Sequence, residues 1–177
     1  RRENVIGLAR DMGITSDIPM VPSIALGVAD ISLLEMTRAY SSFPNDGRLA
    51  EMRLVTRIED KNGKVLFDAG KPDDFKVMKD DNAQVMVELL KGVVDKGTAR
   101  RLRSTYKLPN DIAGKTGTAQ DYSDGWFIGF TKNITGGVWV GGDQRSVRFR
   151  SSKYGQGANM ALPIFGLFMQ KMNADTT

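Results

Sequence analysis

The stretch Ile112-Ala113-Gly114-Lys115-Thr116-Gly117-Thr118-Ala119 is followed, after the polar segment 120–123, by Asp124-Gly125-Trp126-Phe127-Ile128-Gly129-Phe130. Both stretches mix glycines with apolar residues that favour strands, and the segment between them has the length of a turn. A third apolar stretch, residues 137–141, comes after a turn at 131–136. The pattern predicts a three-stranded antiparallel meander at the centre of the fold.

The first of these strands contains residues suited to binding a ligand. Lys115 supplies a cation, Thr116 and Thr118 supply hydroxyls, and Gly117 has no side chain to cover the backbone. A peptide could therefore come close enough to pair with the strand edge. These residue types in this order predict a site that holds a carboxylate and an amide.

Two other interpretations of Gly114-Lys115-Thr116 were compared with this one. The same three residues end a phosphate-binding P-loop, but that motif requires a glycine five positions before Gly114, where Pro109 stands. A nucleotide site is therefore not expected. The second interpretation is an ordinary edge strand exposed to solvent. It is less favourable because other stretches of the chain carry patterns that accompany such a binding site, as described next.

The lysine stretch resembles the Lys-Thr-Gly motif of penicillin-binding proteins and serine β-lactamases. Residues 124–130 and 137–141 resemble its continuation in the bifunctional class A penicillin-binding proteins. Residues 25–27 with 34–40 resemble an upstream helix of that family, and residues 157–164 resemble its last helix. The resemblance covers nearly all of the chain.

The resemblance implies a fold and a reaction. The expected fold is α/β (α+β), a partial β-lactamase/transpeptidase-like fold with three core antiparallel strands flanked by helices and a small β-hairpin. The implied reaction is serine acyl transfer on the D-alanyl-D-alanine end of peptidoglycan stem peptides, with β-lactams as mimics and without a cofactor or metal. The alternative is a non-catalytic module of the same fold that binds or senses such peptides.

The resemblance also implies roles for individual residues. Lys115 would raise the positive potential of the cleft and assist proton transfer, and the hydroxyls of Thr116 and Thr118 would hold the substrate carboxylate. Gly117 would keep the strand accessible. The backbone amide of Thr118 would supply half of the oxyanion hole, where one donor typically contributes about 2.7–4 kcal/mol.

Two further family motifs, Ser-x-x-Lys and Ser-x-Asn, have no convincing counterpart here. The chain has one Ser-x-x-Lys, from Ser104 to Lys107. Ser104 lies only eleven residues before Lys115, in a stretch ended by Pro109, whereas the family places its nucleophile far upstream of the lysine strand. Ser-x-Asn does not occur. We therefore expect residues 1–177 to be a single truncated transpeptidase domain, inactive alone, whose nucleophile lies before Arg1.

Composition excludes several kinds of site. The 177 residues are 41% hydrophobic, enough for one domain with a core. Without cysteine or histidine, the chain cannot form disulfides, thiolate metal sites or a histidine-based triad. The net charge is +4, and the basic groups at 100–103 and 145–153 are interpreted mainly as solvated surface, so no nucleic-acid partner is expected.

No run of about eighteen apolar residues occurs in the chain. Any membrane anchor is therefore expected outside it. The implied substrate is extracytoplasmic, which predicts a periplasmic location or one on the outer face of the cytoplasmic membrane.

Local patterns predict the remaining elements. Helices are expected at 1–12, from the Ser32–Glu35 capping box to Ser42, from a cap at Asp80 or Asp81 to Gly97, and at 158–172. The turn Asn62-Gly63 predicts a hairpin of residues 53–60 with 64–67. Trp126 and Trp139 are expected in the core, as are the apolar residues Leu34, Met36, Ala39, Tyr40 and Phe43.

The third strand, 137–141, is expected to lack a neighbour on one side. An unpaired apolar edge favours pairing with another chain. We therefore expect residues 1–177 alone to be marginally stable or to self-associate, and a monomer with a sharp melting transition would contradict this.

Overall fold

The computed structural model describes residues 1–175; residues 176 and 177, at the end of the predicted domain, lie outside this range. Short 3-10 turns occur at Pro22–Leu26 and Gln120–Tyr122. The helices are α1 (Arg2–Asp11), α2 (Leu33–Ser41), α3 (Asp80–Asp95), α4 (Arg101–Ser104), α5 (Ser152–Gly155), α6 (Gly157–Met160) and α7 (Leu162–Ala174). The strands are β1 (Arg48–Ala50), β2 (Arg57–Glu59), β3 (Val65–Asp68), β4 (Asp74–Lys76), β5 (Ala113–Thr118), β6 (Asp124–Phe130) and β7 (Thr135–Gly141).

The predicted meander forms the central sheet. Its strands are antiparallel in the order β5-β6-β7, with Gly117 opposite Trp126 and Trp126 opposite Trp139. β5 and β7 are therefore the two edges. Helices flank this sheet, which confirms the predicted α+β architecture.

Each face of the sheet packs against other elements over part of its area. On one face, Phe127 packs in a buried cluster with Phe165 of α7, their ring centroids 5.0 Å apart. On the other face, Phe130 packs in a second cluster with Phe43, at 6.2 Å. Residues three apart on a strand point to opposite faces, so β6 contributes one phenylalanine to each cluster. Each such burial contributes about 1.5–3 kcal/mol, which holds β5 and β6 firmly in place.

The capping predictions had different outcomes. α2 begins with the predicted capping box, in which the Glu35 amide donates to Ser32 Oγ at 3.2 Å and the Ser32 amide donates to Glu35 Oε2 at 3.1 Å. The N-cap of α3 is Lys79, so the prediction of an aspartate cap was wrong. Asp80 instead lies in the first turn and forms an ion pair with Lys76.

The hairpin prediction was confirmed in a shorter form. β2 and β3 pair around Asn62-Gly63, and Gly63 has a φ of 81°, the left-handed conformation that this turn requires. A register shift between Ile58 and Glu59 interrupts the pairing. The paired region is therefore limited to three or four residues on each side.

A second small sheet was not predicted. β1 pairs with β4 so that Leu49 lies opposite Phe75, and the Arg48 guanidinium binds the Asp74 carboxylate through two nitrogens. Both strands are only three residues long and are far apart in the sequence. Strands this short show no detectable alternation of apolar and polar residues in the sequence, so only their pairing in the folded protein defines them.

Some residues predicted to be core are exposed. Trp139 is 40% exposed and Leu34 is 52% exposed. Trp126 is half-buried, and its indole Nε1 donates to Asp124 Oδ1 at 3.0 Å. The two tryptophans lie opposite each other on neighbouring strands, and at this end of the sheet their shared face remains open to solvent.

The outer edge of β7 has no strand partner among residues 1–175. The expected self-association of the isolated chain stays a prediction. Within the same range, no helix is both long and apolar enough to cross a bilayer.

Glu35 connects three segments of the chain. Its carboxylate accepts hydrogen bonds of 2.6–3.1 Å from the amides and hydroxyls of Thr15, Ser16 and Ser32. These bonds, the strongest from the Ser16 hydroxyl, lower the pKa of Glu35 far below its ordinary value. The loop after α1 is thereby attached to the start of α2.

We expect Glu35→Gln to lower the free energy of unfolding by about 1–3 kcal/mol at pH 7, because a neutral amide accepts these bonds more weakly. Because the pKa of Glu35 is lowered on folding, its carboxylate stabilises the folded protein fully at a pH above 4.5, the ordinary pKa of glutamate. This stabilisation declines as the pH falls below that value. The difference between wild type and variant should therefore shrink between pH 7 and pH 3, as measured by thermal unfolding. Glu3→Gln, at an exposed position, is the control, and equal stability of Glu35→Gln and wild type at pH 7 would contradict the prediction.

Candidate active site

The lysine strand lies at an open edge of the central sheet. β5 pairs with β6 on one side only, and Lys115 on this strand is exposed. Its Nζ donates to the Thr116 carbonyl oxygen at 2.9 Å. No acidic side chain among the described residues forms an ion pair with it, so its positive charge is available to an anionic ligand.

A cavity of about 270 Å³ opens beside this strand. Its walls are formed by β5, by the turn after α3 and by the residues around the start of α6. Polar side chains make up most of the lining, and the residues are Thr98, Thr116, Thr118, Gln156 and Ala158. Two of the predicted site residues, Thr116 and Thr118, thus line one cavity.

The hydroxyl of Thr118 is held by the start of α6. The Gly157 amide donates to Thr118 Oγ1 at 3.0 Å, so the oxygen is positioned while the hydroxyl proton stays free to donate. This contact requires a glycine at position 157, because a Cβ there would lie 2.1 Å from the Gly117 carbonyl oxygen and 2.5 Å from the Trp126 carbonyl oxygen. Thr118 was predicted as a site residue from the sequence, whereas Gly157 was not.

Gly117 has a packing role in addition to the predicted one. A Cβ at this position would lie 3.0 Å from the Cβ of Trp126, its partner across the strands. A larger residue would therefore push against the tryptophan. Glycine at 117 both uncovers the backbone and permits the close pairing of β5 with β6.

Thr98 is a site residue that sequence reasoning missed. Its Oγ1 lies 2.7 Å from Thr116 Oγ1, and the two hydroxyls share one hydrogen bond. Eighteen positions separate them, so no short-range sequence pattern connects the two residues. Only the packing of α3 against β5 brings this hydroxyl to the lysine strand.

One of the two basic groups has a structural role. Arg101 donates to the Ala158 carbonyl oxygen at 3.1 Å and to Asn159 Oδ1 at 3.0 Å, which joins α4 to the far wall of the cavity. Arg103 donates to the Asn110 carbonyl oxygen at 2.6 Å, just before β5. The prediction that this group is mainly solvated surface was wrong for both arginines. The other group is exposed, and there Arg148 forms an ion pair with Asp121 at 3.2 Å.

The Ser-x-x-Lys match lies away from the cavity lining. Ser104 is the last residue of α4, and Lys107 has a left-handed φ of 52°. The helix ends before the lysine, so Ser104 and Lys107 do not lie on one helix. That this Ser-x-x-Lys is not the catalytic motif stays a prediction.

The residues that line the cavity offer hydrogen-bond donors that an anion could accept from. The three threonines have three hydroxyl protons, of which one is used between Thr98 and Thr116. Two protons remain, enough for the two oxygens of a carboxylate, and Lys115 adds a positive charge on the same strand although it does not line the cavity. Hydrogen bonds to a charged group are about twice as strong as neutral ones, so a carboxylate suits this cavity better than a neutral group.

Comparisons with known proteins identify the family of the chain. The model of the penicillin-binding protein transpeptidase domain matches residues 19–160. Penicillin-binding protein 1A of Aquifex aeolicus is 36% identical over 95% of this chain, which is 22% of that protein. Penicillin-binding protein 1A of Clostridium acetobutylicum is 34% identical over 96% of this chain and 20% of that protein. The chain thus spans about a fifth of the length of these curated relatives.

Solved structures support the fold. Penicillin-binding protein 1A from Haemophilus influenzae superposes with a TM-score of 0.87 at 23% identity, covering 100% of this chain and 32% of that one. PonA1 from Mycobacterium tuberculosis, in complex with penicillin V, gives a TM-score of 0.66 at 23% identity over 94% of this chain and 48% of that one. The predicted resemblance is confirmed, and the chain belongs to the penicillin-binding protein transpeptidase domain family.

Proposed function

We propose that this chain is the C-terminal portion of a peptidoglycan DD-transpeptidase, which cross-links stem peptides through a serine acyl-enzyme and is acylated by β-lactams. The observation that carries this proposal is the cavity at the open edge of β5, which Thr116 and Thr118 line; Lys115 lies on the same strand and has no ion-pair partner among residues 1–175. The family supports the reaction class. Neighbours solved with penicillin V and as an imipenem acyl-enzyme support the β-lactam chemistry.

The proposed reaction has two acyl transfers. A serine oxygen attacks the carbonyl carbon of the penultimate D-alanine, its proton passes to a base, and the peptide bond breaks to release the last D-alanine as a protonated amine. An amine of a second stem peptide then attacks the ester, which restores the serine hydroxyl and forms the cross-link.

This chain provides one wall of the cleft in that reaction. Thr116 and Thr118 hold the terminal carboxylate of the substrate, and Gly117 lets the peptide backbone approach β5. Lys115 provides positive potential and assists proton movement. The backbone amide of Thr118 donates to the oxygen that becomes negatively charged in the transition state.

The nucleophile is proposed to lie upstream of Arg1. The support is that Ser-x-Asn is absent from the sequence and that Ser104 does not line the cavity. Residues 1–177 would then be part of one transpeptidase domain. An extracytoplasmic location, with an anchor outside this chain, follows from the peptidoglycan substrate and is likewise part of the proposal.

We expect the longer protein, but not residues 1–177 alone, to form a covalent adduct with benzylpenicillin. Intact-mass measurement after incubation should show an increase equal to one penicillin on the longer protein and none on the isolated chain. The physical reason is that acylation needs a serine activated by a neighbouring base, and no such pair lines this cavity.

Two results would contradict the proposal. An adduct on residues 1–177 that disappears in Ser104→Ala would place the nucleophile in this chain. A longer protein that binds benzylpenicillin reversibly and forms no adduct would favour the alternative function, a non-catalytic module that senses peptidoglycan peptides or β-lactams.

A further inference from the structure

We infer that Thr98 is a positioning residue for Thr116 and thereby determines how tightly the site holds the carboxylate of its substrate. This inference rests on the proposed function. It assigns to the cavity a third hydroxyl, contributed by the turn after α3 and not by the lysine strand.

The first step is the hydrogen bond itself. The oxygens of Thr98 and Thr116 are 2.7 Å apart, a normal distance for two hydroxyls that share one proton. Among the described residues, neither hydroxyl forms another hydrogen bond. Whichever of them donates, the pair keeps one free proton, and its direction is restricted by the shared bond.

The second step is the rigidity of the turn that contains Thr98. The amides of Gly97 and Ala99 both donate to the Val93 carbonyl oxygen at 3.1 Å, and Ala99 is fully buried. A Cβ at position 97 would lie 2.9 Å from both the Cα and the carbonyl oxygen of Val93. The turn is therefore folded tightly onto the end of α3, and Thr98 cannot easily move away from β5.

The third step is the opposite wall. Arg101, three residues after Thr98, donates to the Ala158 carbonyl oxygen at 3.1 Å. Ala158 lines the same cavity as Thr98. The segment that positions Thr98 is thus connected to the wall that, through Gly157, positions Thr118.

A free threonine hydroxyl rotates among several directions. A ligand that needs one of these directions must fix it on binding, which lowers the affinity. Thr98 restricts the hydroxyl of Thr116 before the ligand arrives. Together with Gly157, which does the same for Thr118, it prepares two protons for the two oxygens of one carboxylate. The chemical class recognised is a C-terminal carboxylate, or the equivalent carboxylate of a penicillin.

The test uses the longer protein, with Thr98→Val, Thr98→Ser and the control Thr105→Val, which changes an exposed threonine outside the cavity lining. Acylation rates are measured over a range of benzylpenicillin concentrations. We expect Thr98→Val to raise the half-saturating concentration about threefold to tenfold, the usual effect of one hydrogen bond. The limiting acylation rate of Thr98→Val should stay within about twofold of wild type. Thr98→Ser and Thr105→Val should resemble wild type in both quantities, since both keep the hydroxyl pair.

A second probe separates positioning from a general structural role. With the methyl ester of benzylpenicillin, the difference between wild type and Thr98→Val should fall below about twofold, because the ester no longer offers a charged carboxylate. If valine lowers the melting temperature, Thr98→Ala replaces it in both measurements, since alanine removes the hydroxyl without adding a methyl group.

The inference is overturned if Thr98→Val binds benzylpenicillin like wild type, if Thr98→Ser is as impaired as Thr98→Val, or if the loss is equal for acid and ester. In these cases an acylated wild-type protein leaves the proposed function intact. A wild-type protein that forms no adduct overturns the proposed function, and the inference with it.

Discussion

A Lys115→Gln variant of the longer protein is expected to react with benzylpenicillin at least about 100-fold more slowly than wild type, the usual scale for loss of a proton-transfer or charge-stabilising group. Glutamine keeps a hydrogen-bond donor at this position but removes the charge. Lys115 is exposed and has no ion-pair partner in the described part of the chain, so stability should change little. The measurements are the second-order acylation rate and the melting temperature.

Lys107→Gln is the matched control, because it removes the charge of the lysine in the Ser104–Lys107 motif, which does not line the cavity. Acylation by this variant should equal that of wild type. A large loss in Lys107→Gln with little loss in Lys115→Gln would reverse the assignment of the two lysines. A comparable loss in both would show that net charge, and not the position of Lys115, controls the rate.

A Gly157→Ala variant should lose both stability and reactivity. The new Cβ would lie 2.1 Å from the Gly117 carbonyl oxygen and 2.5 Å from the Trp126 carbonyl oxygen, and these backbone atoms cannot rotate away. α6 must therefore move off the sheet, which breaks the bond between the Gly157 amide and Thr118. We expect a loss of about 2–4 kcal/mol in the free energy of unfolding and, because Thr118 is displaced, acylation at least about tenfold slower.

Gly92→Ala is the control for this variant. Gly92 lies in α3, and a Cβ there has no atom within 4 Å. Alanine should therefore be neutral or stabilise the helix by up to about 1 kcal/mol. A Gly157→Ala protein with wild-type melting temperature and acylation rate would show that α6 does not position Thr118.

Local features of the sequence correctly predicted those elements whose signals lie within a few residues. The capping box needs only Ser32 and Glu35, and the hairpin turn needs only Asn62 and Gly63. Short β1 and β4 have no such signal, because their pairing joins segments more than twenty residues apart. The exposure of Trp139 was missed for a related reason: strand spacing predicts which residues share a face, but not whether that face is covered.

The candidate site divides in the same way. Lys115, Thr116, Gly117 and Thr118 are consecutive, so the sequence by itself determined the lysine strand, its charge and its hydroxyls. Thr98 and Gly157 lie on other elements, and only the packing of α3 and α6 around β5 placed them against Thr116 and Thr118. The physical reason is that the order of residues specifies which groups share a strand. The direction of a hydroxyl proton depends instead on a donor or acceptor from another part of the chain, which only folding brings within about 3 Å.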